Sequence, residues 1–297
     1  MRYSIIGTGA VGGYYGGKLA RQGHDVHFLF HSDYDFVKGN GLEVKSCNGD
    51  FHIDNVNAYN DTAQMPKSDI VLVALKSVRQ QTLYQILPPL LKDDTLVVLI
   101  QNGIGLEADL KSHFPTLSIA AGLAFICSSK TEPGVVRHDC YGSINIGNYS
   151  CADKKKIDGF IDDLRSAGVD ANEVEYHEAR WKKAVWNMPF NGMSVVHDAD
   201  TAELLERYPQ LILDQMHEVI DAANACGVHN LDYTFADKMI QMTQSMVPYY
   251  PSMKLDYDFH RPMEIHYLYS RPIEVAAAAG FDMKLCRDIK RRLKEMS

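Results

Sequence analysis

The sequence predicts an α/β protein: an N-terminal doubly wound parallel sheet followed by an all-helical C-terminal domain. Short, continuous apolar runs alternate with helix-length stretches in the first half, whereas beyond about Glu178 strand-like runs vanish and helical periodicity takes over. A glycine-rich turn joins the first run to the first helix-length stretch.

The runs Tyr3 to Ile6, Val26 to Phe30, Ile70 to Leu75 and Leu96 to Ile100 read as strands buried on both faces. Between them, Ala10 to Gln22 and Ser77 to Leu91 read as helices, so right-handed crossovers give a parallel sheet covered on both sides. Further strands are expected at Ile119 to Cys127, Gly134 to His138 and Ser143 to Ile146, then a helix from about Asp153 to Ser166. In the second half the period predicts helices over Ala179 to Val196, Pro209 to Cys226, Asp232 to Met246 and Met263 to Ala279, with a basic closing helix over Lys284 to Lys294. The division falls at residues 1–174 and 175–297, resting on the change of period alone.

A chain of 297 residues suits two domains. A net charge of −8 argues against a nucleic-acid partner, which needs clustered Lys and Arg. The longest apolar runs fall far short of the roughly 20 residues of a membrane helix. The chain opens directly on a strand, without the pattern of a signal peptide. Its six cysteines lack disulfide or metal-site spacing. A cytoplasmic protein without a bound metal is expected.

Gly7-Thr8-Gly9-Ala10-Val11-Gly12 fits G-x-G-x-x-G and lies between a strand and a helix, as a Rossmann-type nicotinamide-dinucleotide site requires. The first glycine permits a tight turn, the second lets the pyrophosphate approach the backbone, and the third lets helix pack on strand. The end of the second strand selects the cofactor, since an acid there binds the ribose of NAD and a base the 2′-phosphate of NADP. Here it reads Phe30-His31-Ser32, with Asp33 close by, which points to NADP through His31 and leaves NAD open. Ser128, just past the strand ending at Cys127, is assigned to the same cofactor set.

Lys183, Asn187 and Asn191 repeat every fourth residue on a stretch otherwise rich in Trp, Met and Phe. On a helix they share one face, either lining a cleft or forming a solvated stripe. Pro189 removes one backbone hydrogen bond from that helix and is expected to bend it.

Together these motifs resemble the ketopantoate reductases (2-dehydropantoate 2-reductases) over nearly the whole chain. By that resemblance Lys183 is the catalytic lysine, Asn187 and Asn191 contact substrate, and Lys76, after the strand ending in Leu75, contacts the cofactor. Asn102, in Gln101-Asn102-Gly103-Ile104-Gly105, lies between cofactor and substrate; Ser252 binds substrate, and Glu264 joins the catalytic set. The implied reaction is NADPH-dependent reduction of ketopantoate to pantoate, a step of pantothenate and coenzyme A biosynthesis. Hydride goes to C2, and Lys183 donates the proton.

The chain departs from the family pattern at His31, where an arginine is common, at Asn191-Gly192, where Asn-Pro is common, and at Gly280-Phe-Asp-Met-Lys, which replaces Gly-x-x-x-Pro. The first bears on the choice of NADP over NAD; the other two, with Tyr249-Tyr250 before Ser252, leave room for a related 2-oxo acid substrate, and a hydroxy-acid dehydrogenase of the same architecture is the nearer rival. A non-enzymatic dinucleotide-binding partner protein would have kept the glycine turn but lost the polar helix face. A homodimer is permitted by the apolar helices but not required.

Overall fold

The computed structural model describes residues 1–297, residue 131 through its backbone alone. The chain forms two compact units: residues 1–101 with 106–176, and residues 102–105 with 177–297.

The first unit is built on one ten-stranded sheet. In chain order its elements are β1 (Arg2–Ile6), α1 (Ala10–Arg21), β2 (Asp25–Leu29), α2 (Tyr34–Asn40), β3 (Leu42–Ser46), β4 (Phe51–Ile53) and β5 (Asn57–Tyr59). There follow β6 (Ile70–Val73), α3 (Gln80–Ile86), β7 (Leu96–Leu99), α4 (Leu106–His113), β8 (Ser118–Glu132), β9 (Val135–Asn148), α5 (Lys154–Ser166) and β10 (Ala171–Val174). The strands lie in the order β4-β3-β9-β8-β7-β6-β1-β2-β5, with β10 on β9. All neighbours run parallel except β3 with β4 and β8 with β9. The central strands β6 and β7 are buried at every position, which is why they read as unbroken apolar runs.

Two expectations change here. The strands expected at Gly134 to His138 and Ser143 to Ile146 are one strand, β9, which passes through Tyr141 and Gly142 at φ of 63° and 107° and holds its pairing with β8 across register shifts. The helix expected over Ser77 to Leu91 is three pieces, a 3₁₀ turn at Ser77–Arg79, α3, and a second 3₁₀ turn at Pro88–Leu90. Pro88 and Pro89 supply no N–H to continue the α-helical ladder.

The second unit is helical: α6 (Tyr176–His197), α7 (Thr201–Arg207), α8 (Pro209–Ala225), α9 (Tyr233–Ser245), α10 (Ser252–Asp258), α11 (Arg271–Ala278) and α12 (Lys284–Glu295). The assignment of α6 continues through Pro189. Trp181, Val185, Met188 and Phe190 of α6 join Met216, Val219, Ile220, Tyr269 and Leu293 in its apolar core. The helix expected from Met263 is instead a π turn at His266–Ser270 leading into α11. Its cause is local. The Arg271 N–H bonds back to the His266 carbonyl, and Pro272 has no N–H to offer. The Tyr267 carbonyl accepts instead from the Ile104 N–H at 3.0 Å, which ties residues 102–105 to this unit. Among the described residues no helix is long and apolar enough to cross a membrane.

Candidate active site

In the first unit the glycine turn divides its labour as the dinucleotide motif demands. Gly7 has φ of 88°, and a Cβ there would lie 2.5 Å from the Leu75 nitrogen. At Gly12 a Cβ would lie 2.4 Å from the Gly7 carbonyl oxygen, so α1 can approach β1 only over a bare backbone. At Gly9 a Cβ would meet nothing within 4 Å. The two outer glycines are needed by packing, whereas the middle one faces open space at the start of α1, where free N–H groups favour an anion. Ala10 and Val11 open that helix. These residues fit a dinucleotide pyrophosphate.

Beside the turn, the Thr8 hydroxyl donates to the Leu29 carbonyl at 2.8 Å and fastens the turn to the end of β2. Lys130, reaching across from β8, donates to the Thr8 carbonyl at 2.9 Å, pairs with Asp33 and lies over the Phe30 ring at 5.6 Å. Asp33 is buried and also accepts the Gly134 N–H at 3.2 Å. His31 is exposed at the tip of β2. Ser128 alternates with Lys130 along β8 and so shares its face; its hydroxyl is buried with no protein partner among the described residues. Lys76 is exposed where it opens the 3₁₀ turn after β6.

In the second unit Lys183 and Asn187 of α6 line a pocket with Arg180, Ala184 and Met188, closed by Gly103, Ile104, Tyr267, Leu268 and Pro272. Gly103 sits at φ of 121°, and a Cβ there would come within 2.5 Å of the Tyr267 carbonyl oxygen, so only glycine lets this wall close. Arg180, one turn before Lys183, is 2% exposed. Burial, and then the neighbouring Arg180 guanidinium, bring the Lys183 ammonium down from its usual range to about 7, while Glu264, itself buried, pulls the other way. A lysine so held exists as acid and base near neutrality, which suits proton donation to an alkoxide.

Asn191 and Ser252 come together away from the lining of that pocket. The Asn191 amide oxygen accepts the Met253 N–H at 3.0 Å and the Ser252 hydroxyl at 3.3 Å, and its amide nitrogen donates to the Asn187 carbonyl at 2.9 Å. Asn191 is therefore a buried clamp on the first turn of α10. Asn102 is half-buried beside Gly103. The sequence reading missed Arg180, whose i−3 spacing from Lys183 was the available signal. It also missed Lys130, which lies 122 residues from its partner Thr8 and offered none.

The comparisons with known proteins agree across both units. Residues 3–150 match the family model described as "Ketopantoate reductase PanE/ApbA", and residues 175–297 match "Ketopantoate reductase PanE/ApbA C terminal". The chain belongs to the ketopantoate reductase family. It is 40% identical to the 2-dehydropantoate 2-reductase of Nostoc sp. strain PCC 7120, over 99% of this chain and 94% of that one. A crystal structure of 2-dehydropantoate 2-reductase from Geobacter metallireducens GS-15 superposes with a TM-score of 0.96 at 36% identity, covering 100% of both chains. A ternary structure of D-mandelate dehydrogenase with NADH and anilino(oxo)acetate shares the fold at a TM-score of 0.88 and 21% identity, over 100% of this chain and 98% of that one. The ketopantoate reductase assignment thus rests on the whole chain, and with it the reading as an oxidoreductase of Rossmann type.

Proposed function

We propose that this protein reduces 2-dehydropantoate to pantoate with NADPH, residues 1–174 binding the dinucleotide and residues 175–297 carrying the substrate chemistry. The observation that carries the reading is Lys183, held near a pKa of 7 beside Asn187 and Arg180 in one pocket, in a chain 40% identical to a 2-dehydropantoate 2-reductase. A bound nicotinamide supplies the hydride that reaches C2 of the 2-oxo acid.

The protein's own groups handle charge and proton. The Lys183 ammonium stabilises the negative charge growing on the C2 oxygen and then gives up its proton at Nζ. Burial makes that transfer easier by penalising the charged amine, and Glu264 keeps enough of the charged form to act as donor at neutral pH. Asn187 and Glu264 orient the distal hydroxyl of the substrate, Ser252 its carboxylate, and Asn102 the boundary between substrate and cofactor. Asn191 holds Ser252 in place through its amide oxygen and, with Asn187, belongs to the substrate-contacting set. Gly7, Gly9 and Gly12, with Thr8, Ala10, Val11, His31, Lys76 and Ser128, form the cofactor set.

The test is the loss of nicotinamide absorbance when purified protein is mixed with ketopantoate and NADPH or NADH in separate reactions. Turnover with NADPH is the expected result. Inactivity on ketopantoate, with turnover of another 2-oxo acid, would overturn the substrate assignment.

A further inference from the structure

The end of β2 ordinarily decides between the two nicotinamide cofactors, and the group facing it here comes from elsewhere in the chain. Three features converge at that corner. Asp33, the acid nearest the strand end, is buried at 5% exposure, paired with Lys130 and bonded to the Gly134 N–H, so its carboxylate is already committed. Lys130 is anchored at the glycine turn through the Thr8 carbonyl, and its ammonium lies over Phe30, the residue that ends the β2 run. Its side chain keeps 22% exposure, while the neighbouring His31 and Ser32 are exposed.

We propose that Lys130, presented from β8 and clamped by Asp33, is a specificity-determining residue of the cofactor site and receives the 2′-phosphate of NADP together with His31. The inference rests on the dinucleotide reading of the glycine turn and deepens it. In that motif the adenosine ribose lies at the end of the second strand, so a cation fixed between the turn and that strand faces the ribose 2′ position. An ammonium has three donors. Thr8 and Asp33 engage two of them, and a phosphate oxygen can take the third in a charge-assisted bond. The Lys130–Asp33 pair also removes the acid that would otherwise accept the ribose 2′-hydroxyl of NAD and repel a phosphate. With Lys130 in this role the chain would favour NADP with a histidine, His31, where an arginine is common.

The proposal is tested by calorimetric titration of the full-length protein with 2′,5′-ADP and with 5′-AMP, which differ only in the 2′-phosphate, alongside NADPH and NADH. The wild-type protein is expected to bind 2′,5′-ADP about tenfold to a hundredfold more tightly than 5′-AMP, the worth of one charge-assisted hydrogen bond. Lys130→Met should abolish that ratio and leave 5′-AMP binding within about twofold, and Lys130→Arg should restore most of it. Because Lys130→Met strands a buried carboxylate, the double variant Lys130→Met with Asp33→Asn keeps the result readable if the single variant melts early. Equal weakening of both nucleotides, or an unchanged ratio in the double variant, would overturn the role of Lys130. Wild-type binding of NADH and 5′-AMP without preference for the 2′-phosphate also overturns it while leaving the dinucleotide site standing. Failure to bind any of the four overturns both.

Discussion

The two units build their sites from different materials. In the sheet unit the candidate cofactor site is mostly backbone: three glycines, a helix start and a carbonyl that holds Lys130. In the helical unit the candidate catalytic pocket is set mostly by side chains on one helix, Arg180, Lys183 and Asn187, and the Lys183 ammonium feels the charges of Arg180 and Glu264. A backbone site is specified by what is absent, so it tolerates little added volume. A side-chain site is specified by electrostatics, so it responds to pH.

The largest effect should come from removing the amine itself. Lys183→Ala is expected to lower kcat by about 10²- to 10⁴-fold while NADPH affinity, measured by calorimetry, stays at the wild-type value. A variant with near-normal turnover would take Lys183 out of the chemistry and erase half of the contrast.

Next comes the glycine turn, where two substitutions should separate space from packing. Gly9→Val points into open space and should cost about tenfold or more in dinucleotide affinity with little change in Tm. Gly12→Val drives its side chain into the Gly7 carbonyl and should lower stability by about 1–3 kcal/mol in a denaturant titration. Equal behaviour of the two would show that the middle glycine has no ligand to accommodate.

The electrostatic half is sharpened by pH. Lys183 donates as the ammonium, the form present below its pKa, so the rate of reduction should fall as pH rises through about 7. Arg180 lowers that value and Glu264 raises it. Arg180→Gln should therefore move the falling limb to higher pH, and Glu264→Gln to lower pH. Profiles of kcat against pH for the three proteins check both directions, and coincident limbs would remove these two charges from the account.

The smallest effect belongs to the clamp. Asn191→Ala deletes the acceptor of the Met253 N–H and is expected to cost about 1–2 kcal/mol, in the range of a lost helix cap. It should also raise KM through the displaced Ser252, which steady-state kinetics would reveal.

Much of this was legible in the sequence for a physical reason. Strands such as β6 and β7 are buried along their whole length, so their apolar runs are unbroken, and Gly7 and Gly12 report steric needs that only glycine meets, while Gly9 between them keeps the turn open. Short edge elements were not legible, because β4 and β5 have three residues each and little burial to impose a pattern. The continuity of β9 through Tyr141 was hidden by a positive φ, which local preference reads as a turn. On α6 the fourfold spacing placed Lys183, Asn187 and Asn191 on one face, but spacing could not say that Asn191 spends its amide on α10. The Lys130 and Asp33 pairing joins segments far apart in the chain and leaves no trace in local pattern.

The Ile104 N–H bond to the Tyr267 carbonyl bears on how separable the two halves are as hereditary modules. Residues 102–105 belong by contact to the helical unit, yet they are encoded inside the sheet unit. A gene fragment spanning residues 177–297 would yield helices whose π turn lacks its lining loop, and grafting the sheet unit of a relative would import a foreign wall for the pocket. Recombination between relatives keeps this wall intact only where the short loop and the π turn travel together.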